Sequence, residues 1–403
     1  MKIENSIFID RLEKLKFKME KKDIKALVVY STGSGLGFAS RTHGCLQYLC
    51  NWDSLNRASV MVVMAEREPV LLVNGRSAKL FAKETLWFED IRSVSPDEFG
   101  KEIVALLKPL LKDADRIGYI GKTETPVSLY NDILNGLPHI SLMEADYIIN
   151  EERVIKDDID ITLHRTAAAV CDDMFDTFCK EVRSGKRVYQ IQADLEHTAR
   201  SQGCEYASTF MTVAPVVDRP RYSKEECLQI PEEGDQVLLS LFALKDGHWG
   251  HAIRTGSLGK AGAELQEIYG IVSEMHQAAL GEIYPGNRVS EIWKASERIL
   301  KKYYPKARDS DWYWLKTGHS LGLDYSDPIL SDFFPNPFKM NKKFLSVMNF
   351  DEKFGSVMSG MLFEIHPNLF VPGYAAAAIG TMVLSTDTGY QILDKYPISL
   401  MVV

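Results

Sequence analysis

A chain of 403 residues, 45% hydrophobic and 25% charged, is too long for one small core and has the balance of an ordinary globular protein, so two domains are expected. Its 47 lysines and arginines stand against 55 aspartates and glutamates, a formal charge of −8 that lacks the basic footprint of a nucleic-acid binder. The short basic runs at 14–22 and 339–343 read as solvated faces. Its six cysteines include no Cys-x-x-Cys pair, which points to reduced, mostly buried thiols in a cytoplasmic protein. The opening "MKIENSIFIDRLEKLKFKME" is charged throughout and lacks the apolar core of a signal peptide, and no apolar run is long enough to span a membrane.

In chain order, residues 8–21 have helical spacing, with Phe8, Leu12, Leu15 and Met19 on one face. "IKALVVYS" (24–31) is a buried strand, and "ASVMVVMAEREPVLLVNG" (58–75) is a hairpin whose polar turn holds Pro69. "EFGKEIVALLKPLLKD" (98–113) reads as an amphipathic helix and "RIGYIG" (116–121) as a strand, together a compact α/β unit. The texture changes at "INEERVIKDDIDITLHRTAAAVCDDMFDTFCKEV" (149–182). This reads as one long helical stretch, acidic near its start as the helix dipole favours. The expected domains are therefore 1–151 and 152–403. A helix over 188–201 follows, then strands at 206–215 and 235–256, helices at 261–281 and 289–303, and strand-rich blocks at 357–371 and 379–395. Helices and strands are segregated here, so the C-terminal part is expected to be α+β.

Four segments carry the chemical signal: "EEGDQVLLSLFALKDGHWGHAIRTG" (232–256), "TGHSLGLDYSDP" (317–328), "MSGMLFEIHPNLFVPG" (358–373) and "AIGTMVLSTDTGYQIL" (378–393). In these segments the chain resembles the pita-bread metallopeptidase family, which includes methionine aminopeptidase, aminopeptidase P, prolidase and the metal-free enzyme creatinase. "ERVIKDDIDITLHRTAAAVCDD" is similar to the family's linker helix, and the N-terminal part resembles the α/β domain of aminopeptidase P and creatinase. The resemblance implies a pita-bread C-terminal domain, a homodimer, and a two-metal site built from two Asp, one His and two Glu.

This chain departs from that ligand set. Where the family has its first Asp stands Ser240; where it has the second, eleven residues on, stands His251. The family His is kept as His319 in "GHSLG", the first Glu is replaced by His366 and the last by Gly380. If the fold is kept, His251, His319 and His366 should converge on one ion with an open position, and neutral imidazoles suit one divalent transition metal, iron, zinc or copper (nickel also accepts this ligand type). The resemblance also places a substrate-side His where this chain has Arg221, and a second where it has Ser326. These changes argue against ordinary Xaa-Pro peptide hydrolysis, and an arginine there suits the carboxylate of a small acidic substrate. Asp324, Asp327 and Glu364 are the nearest carboxylates. Glu364 ranks first as a general base, because two residues along a strand it shares a face with His366. His248, three residues from His251, should point the other way, and Arg254 is expected to be structural. Residues 40–57, with Arg41, His43 and Arg57, resemble a region that in creatinase-like relatives reaches the partner subunit's site. The alternatives are a metal-free, creatinase-like C–N hydrolase and an inactive binding relative. No nucleic-acid or membrane partner is expected.

Overall fold

The computed structural model describes residues 3–220, 226–306, 317–327 and 352–403. Two compact units emerge, one made of Met1–Arg153 with Leu323–Tyr325, the other of Val154–Gly322 with Ser326–Val403.

The first unit runs α1 (Asn5–Lys21), β1 (Ile24–Ser31), α2 (His43–Cys50), β2 (Ser59–Met64), β3 (Val70–Val73), α3 (Arg76–Thr85), β4 (Ile91–Ser93), α4 (Phe99–Leu107), β5 (Arg116–Ile120), α5 (Val127–Gly136), β6 (Ser141–Glu144) and α6 (Asp146–Arg153). The strands form one mixed sheet in the order β4-β3-β2-β1-β5-β6. Strand alternation supplies both cores. Leu27, Val29, Met61 and Val63 face Leu12, Leu15 and Met19 of α1, whereas Ala26, Val28, Val60 and Val62 face Phe99 and Ile103 of α4 and Leu129 and Ile133 of α5. The apolar face foreseen for the first helix is the buried one. The helix expected over 98–113 ends at Leu107, because Pro109 has no amide hydrogen to continue the ladder.

The second unit runs α7 (Asp158–Glu181), α8 (Val188–Ser201), β7 (Tyr206–Ala214), β8 (Gln236–Lys245), β9 (His248–Ser257), α9 (Ala263–Gly281), α10 (Val289–Tyr303), β10 (Gly318–Ser320), β11 (Leu362–Ile365), β12 (Asn368–Val371), β13 (Ala375–Ala378), β14 (Thr381–Thr386), β15 (Gly389–Ile392) and β16 (Met401–Val402). The helical stretch expected over 149–182 is broken in two. Asp157 caps α7 by accepting from the Asp160 amide, and the preceding residues leave the helix for Ile155 to bridge to Met361. Two sheets position the site, β16-β9-β8-β7 and β10-β11-β14-β15. Helices α7 and α8 cover one face of the former, through Phe175, Phe178, Ile191 and Leu195 against Val237, Leu239 and Leu241. Its other face carries Ser240 and Phe242. A reciprocal bridge between Ile253 and Gly380 ties the two sheets together. Among the described residues no helix is long and apolar enough to cross a membrane. All six cysteines are free thiols, and four are buried.

Candidate metal centre

The β8–β9 hairpin turns on Asp246 and Gly247, both with positive φ (49° and 76°), the arrangement that a two-residue turn matched to strand twist requires. That turn pairs Lys245 with His248 and so sets Phe242 opposite His251 and Ser240 opposite Ile253. His251 therefore lies on the face away from α7. Phe242 stacks on its ring with centroids 4.4 Å apart and planes 14° from parallel. His319 arrives on β10, directly opposite Glu364 of β11. The two strands approach so closely that a Cβ on Gly318 would come within 2.3 Å of the Glu364 carbonyl oxygen. His366 follows β11 immediately, its amide bonded to the Thr317 carbonyl at 2.7 Å.

The three imidazoles meet. Ring centroids are 5.2 Å apart for His319 and His366, 6.0 Å for His251 and His366, and 6.2 Å for His251 and His319. All three side chains are buried, as is Glu364. The His251 Nδ1–H donates to the Leu241 carbonyl at 2.8 Å and the His319 Nδ1–H to the Ser320 carbonyl at 2.7 Å. Each neutral ring thereby holds its lone pair on Nε2, the orientation that backbone carbonyls impose on metal-ligating histidines. Among the described residues no group of three or more His, Cys, Asp or Glu side chains is so placed that it could hold a metal ion as it stands. The difference is one of spacing. Imidazoles sharing one ion at metal–nitrogen distances of about 2 Å would have centroids roughly 5 Å apart. The closest pair already meets this, and the widest would close by about 1 Å. Donor type, tautomer and convergence fit a single ion.

Glu364 is the carboxylate of this cluster. Its Oε1 lies 4.0 Å from His251 Nε2. The other two carboxylates considered are engaged elsewhere: Asp324 pairs with buried Arg153 at 2.7 Å and accepts from the Gly44 amide, and Asp327 pairs with Lys156 at 2.7 Å. Ser240, at the position of the missing first Asp, faces Phe210 and Ile253 across the sheet. Arg221 lies outside the described residues.

His248 points the opposite way. Its Nδ1 meets the Asp246 carbonyl at 2.8 Å and its Nε2 meets Asp160 of α7 at 2.9 Å, so both nitrogens are taken. His164 of α7 packs edge-on against it at 4.9 Å and donates to the Trp249 carbonyl. Burial, and then the neighbouring His248, holds His164 down to about 3, and burial holds His276 to about 3 as well. Arg254 is structural. It donates to Asp394 at 2.7 Å, to the Gly380 carbonyl at 2.6 Å and to the Pro397 carbonyl at 2.8 Å, while Thr255 bonds both backbone groups of Ala378. The Arg-Thr pair thus fastens β9 to the chain segment that leads into β14. Burial raises the Asp394 carboxyl against the opposing pull of Arg254.

Sequence reading missed Phe242 as a wall of the site. The Asp-Gly turn could have revealed it, since a two-residue turn fixes which residue lies opposite His251.

Residues 11–155 match the Creatinase/Prolidase N-terminal domain. Residues 162–387, more than half of the chain, match Metallopeptidase family M24. The chain belongs to that family. Its pita-bread domain follows a creatinase-type α/β domain, as the resemblance implied. Among curated relatives, a putative dipeptidase of Bacillus subtilis is 22% identical over 85% of this chain and 88% of its own length. A Xaa-Pro dipeptidase of Pyrococcus furiosus is 25% identical over 81% of this chain and 86% of its own. The fold matches the prolidase from Thermococcus sibiricus with a TM-score of 0.79 over all of both chains, at 20% identity. An Xaa-Pro dipeptidase from Bacillus anthracis matches with a TM-score of 0.75 over 98% of this chain and all of that one, at 18% identity.

Proposed function

We propose that this M24 protein is a metal-dependent enzyme in which His251, His319 and His366 hold one divalent transition ion, iron, zinc or copper. The observation that carries this reading is the convergence of three buried imidazoles, 5.2 to 6.2 Å apart, from three separate segments of the chain. Such an ion, when bound, supplies Lewis acidity for hydrolysis or elimination or, for iron and copper, reactivity toward oxygen. The protein groups do the rest. The Leu241 and Ser320 carbonyls hold two rings in the ligating tautomer. The Phe242 ring on His251 and the burial of all three rings keep water from the side of the site that the sheet covers. Arg221 anchors a carboxylate of the substrate, by a bidentate contact that lysine could not reproduce.

The substrate class is a small acidic molecule: an amino acid, a dipeptide or a related metabolite. The prolidase-type names of the relatives support a peptide-like ligand. The replacement of both substrate-side histidines, by Arg221 and Ser326, separates this chain from a general Xaa-Pro peptidase. The protein acts as a cytoplasmic homodimer, a reading that the six free thiols support for the compartment. A metal-free, creatinase-like hydrolase is the second reading. It draws on the His251–Glu364 approach of 4.0 Å, which places an imidazole and a carboxylate together for proton transfer.

Elemental mass spectrometry of the purified wild-type protein and of His251→Ala, His319→Ala and His366→Ala decides between them. About one equivalent of iron, zinc or copper per chain, lost in each variant, is the expected result. A wild-type protein that takes up no metal under any loading condition rejects the three-histidine site and favours the metal-free reading.

A further inference from the structure

We infer that Glu364 is the fourth protein ligand of the ion held by the three histidines, and that its carboxylate occupies the space a side chain at position 380 would need. This rests on the three-histidine reading above and goes beyond it, because it alters the coordination number, the charge and the choice of metal.

The placement comes from register. Glu364 lies opposite His319 on one side and Met382 on the other. Gly380, two residues before Met382, therefore shares the face of Glu364. A Cβ built on Gly380 would come 2.7 Å from Glu364 Oε1, and would also meet Ile253 side-chain atoms at 2.8 and 2.9 Å. The backbone at 380 cannot retreat from this crowding. Its N–H donates to the Ile253 carbonyl at 2.9 Å, and its carbonyl accepts from Ile253 at 3.2 Å and from Arg254 at 2.6 Å. Position 380 thus has no room for an acidic side chain, and the adjacent strand supplies one in its place.

The chemistry of the cluster agrees. Glu364 is 0% exposed, and the charged form of a carboxylate is costly at that depth unless cations or donors face it. A divalent ion among the imidazoles would add a cation within reach of that carboxylate. The Glu364 oxygen already lies on the Nε2 side of His251, the nitrogen that carries the lone pair. Three imidazoles and one carboxylate leave a net charge of about +1 on the centre.

Four protein ligands also select the metal. A tetrahedral zinc ion with four protein ligands is coordinatively closed, the state of structural sites. A reactive centre with this ligand set needs five or six coordination positions, which favours iron or copper over zinc.

The test uses full-length protein, stripped with a chelator and titrated with cobalt(II), with affinity from calorimetry and coordination number from the visible ligand-field spectrum. The variants are Glu364→Gln, which preserves shape, Gly380→Ala, which pushes a methyl group toward Oε1, His319→Ala, which removes one of the three imidazoles, and His248→Ala as a control. Wild-type protein is expected to bind one cobalt with the weak absorption of five or six ligands. Glu364→Gln and Gly380→Ala are expected to weaken binding by at least about tenfold and to change the spectrum, and His248→Ala to do neither. Cobalt bound by wild type and lost in His319→Ala, with affinity and spectrum unchanged in Glu364→Gln, would overturn the fourth ligand and leave the three-histidine site standing. An intense four-coordinate spectrum that Glu364→Gln does not alter would overturn it in the same way. No cobalt bound by wild type would overturn both.

Discussion

Strand β9 has two faces, and they use histidine in opposite ways. On the α7 face, His248 is bound at both nitrogens, to Asp160 and to the Asp246 carbonyl, and His164 packs on it edge-on. On the other face, three residues later, the His251 Nδ1 donates to the Leu241 carbonyl, and its Nε2 lies 4.0 Å from Glu364 beside two further imidazoles. The difference shows that clustering of histidines along a sequence is a weak guide. Alternation along the strand sends neighbours to separate environments, and the partner of each nitrogen decides whether a ring belongs to the core or to a site.

The α7 face should break hardest at Arg254. Arg254→Met removes the guanidinium that pairs with the buried Asp394 carboxylate and donates to the Gly380 and Pro397 carbonyls. Urea unfolding should show a loss of about 3–5 kcal/mol, the range found when one partner of a buried ion pair is removed. A loss below about 1 kcal/mol would mean that solvent reaches Asp394 and that β9 is not fastened to residue 380 in the way described.

His248→Ala sharpens the contrast directly. It strips Asp160 of its ring partner and should cost about 1–3 kcal/mol, while metal content stays at the wild-type level. His251→Ala should do the reverse and abolish metal uptake. If His248→Ala also empties the centre, the two faces are not separate.

The remaining contrast lies in pH dependence. His164 and His276 have folded-state values of about 3, held there chiefly by burial, against about 6.5 in an unfolded chain. Between these limits the unfolded chain binds more protons, so unfolding free energy rises with pH. The stability present above about pH 6.5 is lost on acidification toward 3. Each histidine adds up to about 1.4 kcal/mol per pH unit. His164→Gln and His276→Gln should each flatten the dependence of the urea midpoint on pH in that window. Unchanged slopes would mean that these rings are protonated in the folded protein.

Much of this molecule was legible locally. The helix face of Phe8, Leu12, Leu15 and Met19, the strand at Ile24–Ser31, the helix at Val188–Ser201 and the β8–β9 hairpin follow from side-chain period and turn chemistry, which act over a few residues. Alternation also placed His248 and His251 on opposite faces. Where competing local signals met, the reading failed. Pro109 shortened α4, and the Asp157 cap with the Ile155 bridge split the stretch expected as one helix.

The sequence by itself carried the α/β and α+β plan, the family resemblance and, through that resemblance, the expectation that His251, His319 and His366 stand where the family has ligands, because motif spacing and hydrophobic period are written along the chain. Only the tertiary structure decided that those rings come within 5.2 to 6.2 Å of one another, that Phe242 covers one of them, and that Glu364 fills the space over Gly380. These are contacts between strands far apart in sequence, and no local pattern specifies which rows of two sheets will face each other. That is set by the pairing of β10 with β11, of β11 with β14, and of Ile253 with Gly380.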